Sequence, residues 1–350
     1  MFDDASPTFA ALTLASSPSE ARSMYPAVGT GAPEARADAG LYQGNRRRTI
    51  RQLVVLIVFS LVVTELLFRA DRSRSAVRLV RSASPGWLVL CVAATAITYA
   101  MAAIGMIGAT RSPLRTGPAF IVQVASAFTG RLAPSGLGST ALKVRFLERS
   151  GVRRADAVAS ITLDATAGLI VHTLAFLAIL PFFGGIGRDL DPPEDAPILI
   201  GLTVALVLAG IVMWARIVPH RWKEPVRTTR NTLIATLRMP SRAAPLFGGS
   251  AGVTIAHTIA LCCALRSVGA TTPIVDIAIV YLGAAAIASI SPTPGGLGAF
   301  EAALVTGLSK VATPASTAAA AVVVYRLISF WLPVFPGALA FRGLRRRGLI

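Results

Sequence analysis

Residues 291–308 read SPTPGGLGAFEAALVTGL, and this stretch interrupts an otherwise apolar segment with proline and glycine. Proline lacks a backbone N–H and glycine accepts backbone angles that other residues avoid, so a regular helix cannot continue through the stretch. The apolar arms on either side hold about 10 to 18 residues, whereas a helix needs about 20 to cross a bilayer. The stretch therefore predicts either one long broken crossing or a re-entrant pair of helices.

A second break, APSGLG at residues 133–138, matches the first. When the two stretches are aligned with Pro134 on Pro294, three further residues are identical: Gly136, Leu137 and Gly138 fall on Gly296, Leu297 and Gly298. Ser135 stands where the later copy has Gly295. The match predicts an internal repeat, with broken stretches at 117–149 and 273–311 and repeat cores at about 117–181 and 273–341.

The composition of the whole chain places these breaks in a membrane protein. Hydrophobic residues make up 54% of the sequence, charged residues 15%, and the mean hydropathy is +0.65. A soluble domain of average composition is less apolar, and the alternation typical of a β-barrel is absent. We therefore expect an all-α polytopic membrane protein with about six full spans and two broken or re-entrant helix pairs. The spans are predicted at about 52–69, 87–108, 156–181, 196–214, 246–266 and 315–341.

The distribution of charge predicts how the spans are oriented. The net charge is +17, but the arginines cluster at segment ends rather than on one soluble face, which favours a membrane surface over nucleic acid. The basic stretch 215–245 and the arginines at 345–347 should be cytoplasmic, and the acidic loop 182–195 should lie outside. The stretch 273–311 then re-enters from outside. If 117–149 is also re-entrant, it enters from inside, giving the inverted repeat common in transporters.

The N-terminal topology is less constrained by charge. A cytoplasmic N-terminus places the four arginines of 70–86 outside, whereas the opposite choice exposes those of 46–51 and two more near 111–115. We expect both termini to be cytoplasmic and the membrane to be the cell (cytoplasmic) membrane. Residues 1–45 are rich in Ala, Ser, Pro and Gly and lack the features of a signal peptide, so they predict a disordered cytoplasmic tail before a membrane domain at 46–350.

No pattern of residues predicts an enzyme, a metal or a cofactor. The three cysteines, Cys91, Cys262 and Cys263, fall in apolar segments without the spacing of a zinc site. The sequence also lacks a phosphate-binding loop and a nucleophile elbow. The chemistry is therefore expected from charged residues inside the spans.

Arg326 is the most informative of these charged residues. It lies about 11 residues into the last span, and thus roughly 16 Å along it. A lone arginine at that depth costs about 2.5 to 3.5 kcal/mol, so it should be paired or face a wet cavity. It predicts recognition of a phosphate or carboxylate, with a structural ion pair as the alternative. Glu301 and Asp164 are its candidate partners, although Glu301 can instead cap the helix that follows Gly298, and Asp164 can carry a proton.

The breaks themselves are candidates for anion binding. Half-helices that begin after them would aim N–H groups with partial positive charge into the protein, where an anionic lipid headgroup fits. Arg131 and Lys143, on either side of the first break, can attract such a headgroup or simply reach toward the interface. Tyr325, next to Arg326, completes the candidate substrate-binding set. The candidate helix-break residues are Pro134, Gly136, Gly138, Pro294, Gly295, Gly296 and Gly298.

SPTPGGLGAFEAALVTGL followed by YRLISFWLP resembles the membrane domain of bacterial lysylphosphatidylglycerol synthases and their stand-alone relatives, the flippase-like integral membrane family. APSGLGSTALKVRFLERSGV, followed by a span with Asp164, resembles the motif of that family's first half. The resemblance covers roughly residues 50 to 345. It implies translocation of a lipid made elsewhere, because no soluble synthase domain follows.

These observations lead to one expected function and two rivals. We expect flipping of an anionic or modified phospholipid, or of a lipid-linked intermediate, across the cytoplasmic membrane. The first rival is a non-transporting membrane partner or anchor of a lipid-modifying enzyme or glycosyltransferase. The second is a membrane-embedded transferase acting on lipid-linked sugars, with Asp164 and Glu301 as its acids. The expected partners are membrane lipids, not nucleic acid.

Overall fold

The computed structural model describes residues 73–132, 137–179, 234–291, 293–311 and 313–350. The chain divides into a unit of Met1–Val54 and a unit of Val55–Ile350, and every described residue belongs to the second. Several predictions fall outside the described residues: the tail 1–45, the spans at 52–69 and 196–214, the acidic loop 182–195, and Pro134 and Gly136.

All regular structure in the described residues is helical, which confirms the predicted fold class. The α-helices, in chain order, are α1 (Ser73–Arg81), α2 (Pro85–Ala109), α3 (Thr116–Leu132), α4 (Leu137–Arg149), α5 (Arg154–Ile179), α6 (Pro240–Ser267), α7 (Ile274–Ile290), α8 (Ala299–Lys310), α9 (Ala315–Arg326) and α10 (Val334–Arg346). A short 3₁₀ turn, Pro294–Gly296, lies between α7 and α8, and a π-helical segment, Leu327–Trp331, joins α9 to α10.

Four stretches in the described part of the chain are long and apolar enough to cross a membrane. They are α2, α5, α6 and the continuous run Ala315–Arg346 that contains α9 and α10. These correspond to the spans predicted at 87–108, 156–181, 246–266 and 315–341. Their apolar residues face outward as well as inward, as expected for helices with lipid rather than water around them.

The second broken stretch is a helical hairpin. Helices α7 and α8 lie side by side, with Gly307 of α8 so close to Val280 of α7 that a Cβ atom there would stand 2.7 Å from Val280 Cγ1. The hydroxyls of Thr272, just before α7, and Thr313, just after α8, are 2.6 Å apart. The chain therefore leaves the hairpin beside the point where it began. The stretch is re-entrant and not a single broken crossing.

The first broken stretch has the same form. Near its tip, a Cβ atom on Gly130 of α3 would lie 3.2 Å from Ser139 Cβ of α4. At its base, Leu114 before α3 and Val152 after α4 pack into one hydrophobic cluster. The two repeats thus share a hairpin followed by a long span, α5 in the first repeat and α9 with α10 in the second.

Helices α2 and α6 cross closely at glycines and form the centre of the bundle. A Cβ atom on Gly249 would lie 2.4 Å from the backbone nitrogen of Gly105, and one on Gly108 would lie 2.4 Å from the backbone nitrogen of Leu246. Such small residues let two helix backbones approach in a membrane, where the hydrophobic effect does not drive helices together.

The tip of the second hairpin lies against the first repeat. The turn Pro294–Gly296 contacts α3, and α10 packs along α3. This packing requires Gly337, where a Cβ atom would stand 2.8 Å from the carbonyl oxygen of Val124. The end of α3, the second break and the start of α10 are therefore brought to one place.

The π-helical segment follows from the sequence LISFWLP at residues 327–333. Pro333 has no N–H to donate, which disturbs the regular ladder of α-helical bonds before it. The N–H of Leu332 instead bonds to the carbonyl oxygen of Leu327 at 2.8 Å, five residues back. The extra residue in this turn directs Ser329 and Phe330 into the protein, where both are buried.

Candidate functional site

The glycines of the second break are needed for two reasons: their backbone angles and the lack of space for a side chain. Gly295, Gly296 and Gly298 have φ angles of 66°, 66° and 88°, in a region that favours glycine. A Cβ atom on Gly295 would lie 2.5 Å from Phe330 Cε2, and one on Gly296 would lie 2.7 Å from Ala288 Cβ. The break is thus a tight turn against the Phe330 ring, and a side chain at either position would displace its neighbours.

Glu301 lies in the first turn of α8 and uses both of its carboxylate oxygens. Oε2 accepts the backbone N–H of Gly298 at 2.7 Å, and Oε1 accepts Arg326 Nε at 2.5 Å. Arg326 Nη2 also donates to the carbonyl oxygen of Gly295 at 3.3 Å. The side chains of Arg326 and Glu301 are only 13% and 9% exposed. Both alternatives raised for these residues, the helix cap and the ion pair, are present at once.

Arg131 belongs to the first repeat, where it lies in the last turn of α3, and its side chain reaches the residues around the second break. Its Nη1 donates to the carbonyl oxygen of Ala127, and its Nη2 donates to that of Ser329 at 3.4 Å. The Tyr99 side chain of α2 interacts with the same guanidinium. The buried Nε atom of Arg131 has no hydrogen-bond partner, and no carboxylate of the described residues pairs with this arginine.

The two arginines share one aromatic ring. Arg131 Cζ lies 4.4 Å and Arg326 Cζ 4.9 Å from the centroid of Phe330, and Arg326 also lies 4.5 Å from the centroid of Phe300. Cation–π contacts of this kind stabilise a guanidinium without cancelling its charge. The cluster of Arg131, Arg326, Glu301 and Phe330 therefore holds two positive charges and one negative charge. We call it the arginine cluster.

Tyr325 belongs to a neighbouring group of aromatic side chains. Its hydroxyl lies 3.0 Å from His257 Nδ1, and its ring packs against Phe300. His257 in turn stacks on Tyr281 with ring centroids 5.9 Å apart. Tyr325 is 2% exposed, so the structure places this predicted substrate-binding residue behind the arginine cluster, where it supports Phe300 and the helix that carries Arg326.

Asp164 and Lys143 form a separate pair, away from the arginine cluster. Of the two alternatives for Asp164, a pair with an arginine is not found among the described residues, where its electrostatic neighbour is Lys143. Lys143 lies on α4 and Asp164 on α5, and no ion pair within 4.0 Å joins them. Asp164 Oδ1 lies 3.0 Å from the place where Gly105 would carry a Cβ atom. The structure therefore divides the six predicted binding residues between two places.

Of the residues at the first break, Gly138 is described and lies in the first turn of α4. Sequence reasoning missed Phe330, Phe300, Ser329 and Tyr99, which hold the two arginines. Phe330 falls in the motif YRLISFWLP, but only the π-helical geometry turns it toward the break. A proline six residues after Leu327 was the signal that this turn is irregular.

The profile of the lysylphosphatidylglycerol synthase transmembrane (TM) region matches residues 51–337, which is most of the chain. The protein belongs to this family. A comparison with individual curated proteins found no match. Family membership and the apolar helices together establish a multi-pass membrane protein with a role related to membrane lipids. The arginine cluster and the Lys143–Asp164 pair both lie within the matched region.

Proposed function

We propose that this protein translocates a lipid with a phosphate-bearing headgroup from one leaflet of the cytoplasmic membrane to the other. The observation that carries the proposal is the arginine cluster. Arg326 already has Glu301 as its counter-ion at 2.5 Å, whereas Arg131 bonds to two carbonyl oxygens and to the Tyr99 side chain and has no carboxylate partner among the described residues. A membrane interior does not tolerate an uncompensated charge without a partner, and such residues mark substrate pathways.

The chemistry of Arg131 favours phosphate as the group it binds. A guanidinium presents several N–H donors in one plane and forms bidentate hydrogen bonds with phosphate oxygens. Its buried Nε has no hydrogen-bond partner in the described residues, so a headgroup phosphate that reached it would satisfy this donor. The contact of Arg131 with Ser329 and Phe330 joins the first hairpin to the last span. A headgroup bound there would thus touch both repeats.

The arrangement of the repeats supports movement between two states. Two hairpins with matching breaks, each followed by a long span, are typical of transporters in which one repeat moves against the other around a central site. We propose that the arginine cluster is that site and that the protein acts as a transporter and not as an enzyme. The substrate class includes anionic or modified phospholipids and lipid-linked intermediates.

A vesicle assay tests this function. Purified protein is reconstituted with a trace of phospholipid carrying a fluorescent acyl chain, and a membrane-impermeant quencher reports the fraction in the outer leaflet over time. The proposal expects faster exchange of phosphatidylglycerol between leaflets than in vesicles without protein. A fluorescent neutral diacylglycerol serves as the control lipid, because it lacks a phosphate. Equal rates in protein-containing and protein-free vesicles, for every phosphate-bearing lipid tested, would refute it.

A further inference from the structure

Lys143 and Asp164 form a second charged site, and neither residue belongs to the arginine cluster. Both side chains are partly accessible within the helical bundle, and each is the other's electrostatic neighbour. In the described residues no other charged or titratable side chain acts on either of them. On α2, the neighbour of Asp164 is Gly105, whose Cβ position lies 3.0 Å from Asp164 Oδ1.

Each of the two repeats carries a pair of opposite charges on the helix after its break and on the following span, with the signs exchanged. In the second repeat the helix after the break carries the acid, Glu301, and the following span carries the base, Arg326. In the first repeat the helix after the break carries the base, Lys143, and the following span carries the acid, Asp164. Lys143 lies two residues farther from Gly138 than Glu301 lies from Gly298, and Asp164 lies two residues closer to Gly138 than Arg326 lies to Gly298.

The two pairs differ in how their carboxylates are held. Glu301 accepts two short hydrogen bonds, from Arg326 and from the backbone of Gly298. No described residue donates a hydrogen bond to Asp164, and Lys143 lies beyond 4.0 Å. The charge of a carboxylate inside a membrane span is costly when no hydrogen bond compensates it, and binding of a proton removes that charge. Lysine, unlike arginine, can also lose its proton when buried.

We propose that Asp164, with Lys143 beside it, is a proton-binding site of the first repeat and that proton binding there drives the exchange between transport states. A proton from the aqueous phase on one side adds to the Asp164 carboxylate and gives the neutral acid. The Lys143 ammonium then loses its attraction to α5. Release of the proton to the other side restores the attraction, and α4 and α5 can close on each other. The coupling rests on the proposed lipid translocation, whereas the proton site does not.

Infrared difference spectroscopy tests the proton site without any transport measurement. The purified full-length protein is compared in acidic and alkaline buffer, and the C=O stretch of protonated carboxyl groups is recorded. We expect Asp164→Asn to remove a component of this band. Lys143→Met should leave that component present in both buffers, because the acid loses its nearby cation. Asp156→Asn is the matched control, since Asp156 lies on the same helix, is exposed and pairs with Arg153.

Glu148→Gln, which removes a more exposed acid paired with Arg154, is the second control, and it should not remove the component that Asp164→Asn removes. If the spectra of Asp164→Asn and the wild type coincide, the proton site is wrong. If the component disappears in Asp164→Asn but titrates unchanged in Lys143→Met, the role of Lys143 is wrong.

Coupling is tested in vesicles with an imposed pH gradient. We expect the wild-type rate of lipid translocation to change several-fold when the gradient is reversed, and that of Asp164→Asn to be insensitive to it. A wild-type rate that ignores the gradient would overturn the coupling. If the wild type moves no lipid at all, the proposed function fails, and the infrared comparison still decides whether Asp164 binds a proton.

Discussion

Glu301 Oε1 accepts Arg326 Nε at 2.5 Å while Oε2 of the same carboxylate accepts the N–H of Gly298 at 2.7 Å. One side chain thus caps α8, fixes the second break and neutralises Arg326. Glu301 does not neutralise Arg131. Arg131 contacts the same Phe330 ring as Arg326 but has no carboxylate partner among the described residues. Among the described residues, the arginine cluster therefore has one cation that is paired with a carboxylate and one that is not.

Removal of the Glu301 carboxylate should destabilise the protein strongly. Glu301→Gln leaves the Arg326 guanidinium buried without its counter-ion, and breaking a buried pair in this way costs about 3 to 5 kcal/mol. The double variant Glu301→Gln with Arg326→Gln should recover part of this loss, because no unpaired charge remains. The measurement is thermal unfolding in detergent. Glu148→Gln, which removes a more exposed pair with Arg154 at 3.6 Å, is the control and should have little effect.

Two adjacent glycines of α6 should respond to alanine in opposite directions. At Gly249 a Cβ atom would stand 2.4 Å from the backbone of Gly105, so Gly249→Ala forces α2 and α6 apart and should cost about 1 to 3 kcal/mol. At Gly248 nothing lies within 4 Å, so Gly248→Ala should stabilise the helix by about 0.5 to 1 kcal/mol. Unfolding curves of both variants check this. Equal shifts would contradict the close crossing of the two helices.

An alanine at Gly295 should destabilise the second break, and a smaller side chain at Phe330 should remove only part of that destabilisation. Gly295→Ala meets two obstacles, the Phe330 ring at 2.5 Å and a φ angle of 66° that costs about 1 to 2 kcal/mol for an L-residue. Adding Phe330→Leu should remove the first obstacle and leave the second. The stability of the double variant should therefore lie between those of Gly295→Ala and Phe330→Leu. Gly283→Ala, at a position with open space, is the control and should not destabilise.

The re-entrant hairpin can be tested by cross-linking. Thr272 and Thr313 have hydroxyls 2.6 Å apart, so Thr272→Cys with Thr313→Cys, in a background with Cys91, Cys262 and Cys263 replaced, should form a disulfide under mild oxidation. The cross-link is detected as loss of reactivity of both cysteines toward a thiol reagent. Two thiols that react from opposite sides of the membrane would contradict a re-entrant hairpin.

Much of the fold follows from sequence because its signals are local. Runs of about 20 apolar residues identify the spans α2, α5 and α6, and proline with glycine identifies the break at Pro294–Gly296. The hairpin form of the second repeat was also predicted, from the positions of the basic loops, whereas that of the first repeat was left open by the charges. These inferences need composition and chain order alone.

The partners of the charged residues were harder to predict, because they depend on how distant segments pack. Arg326 had two candidate acids, and only the hairpin, which brings α8 against α9, selects Glu301 over Asp164. Arg131 and Phe330 are far apart in the sequence and meet because α3 contacts the turn of the second break and Gly337 lets α10 lie against α3. Neither contact has a signal in the residues nearby.

The most direct test of the central claim compares wild type and Arg131→Gln in the vesicle assay with phosphatidylglycerol. Loss of a hydrogen bond from a charged donor costs about 1.5 to 3 kcal/mol, which corresponds to roughly a ten- to hundredfold change. We expect Arg131→Gln to slow translocation by about that factor at a temperature at which unfolding curves show it to be as fully folded as Arg145→Gln, an exposed control on α4. Equal translocation rates in wild type and Arg131→Gln would contradict the account.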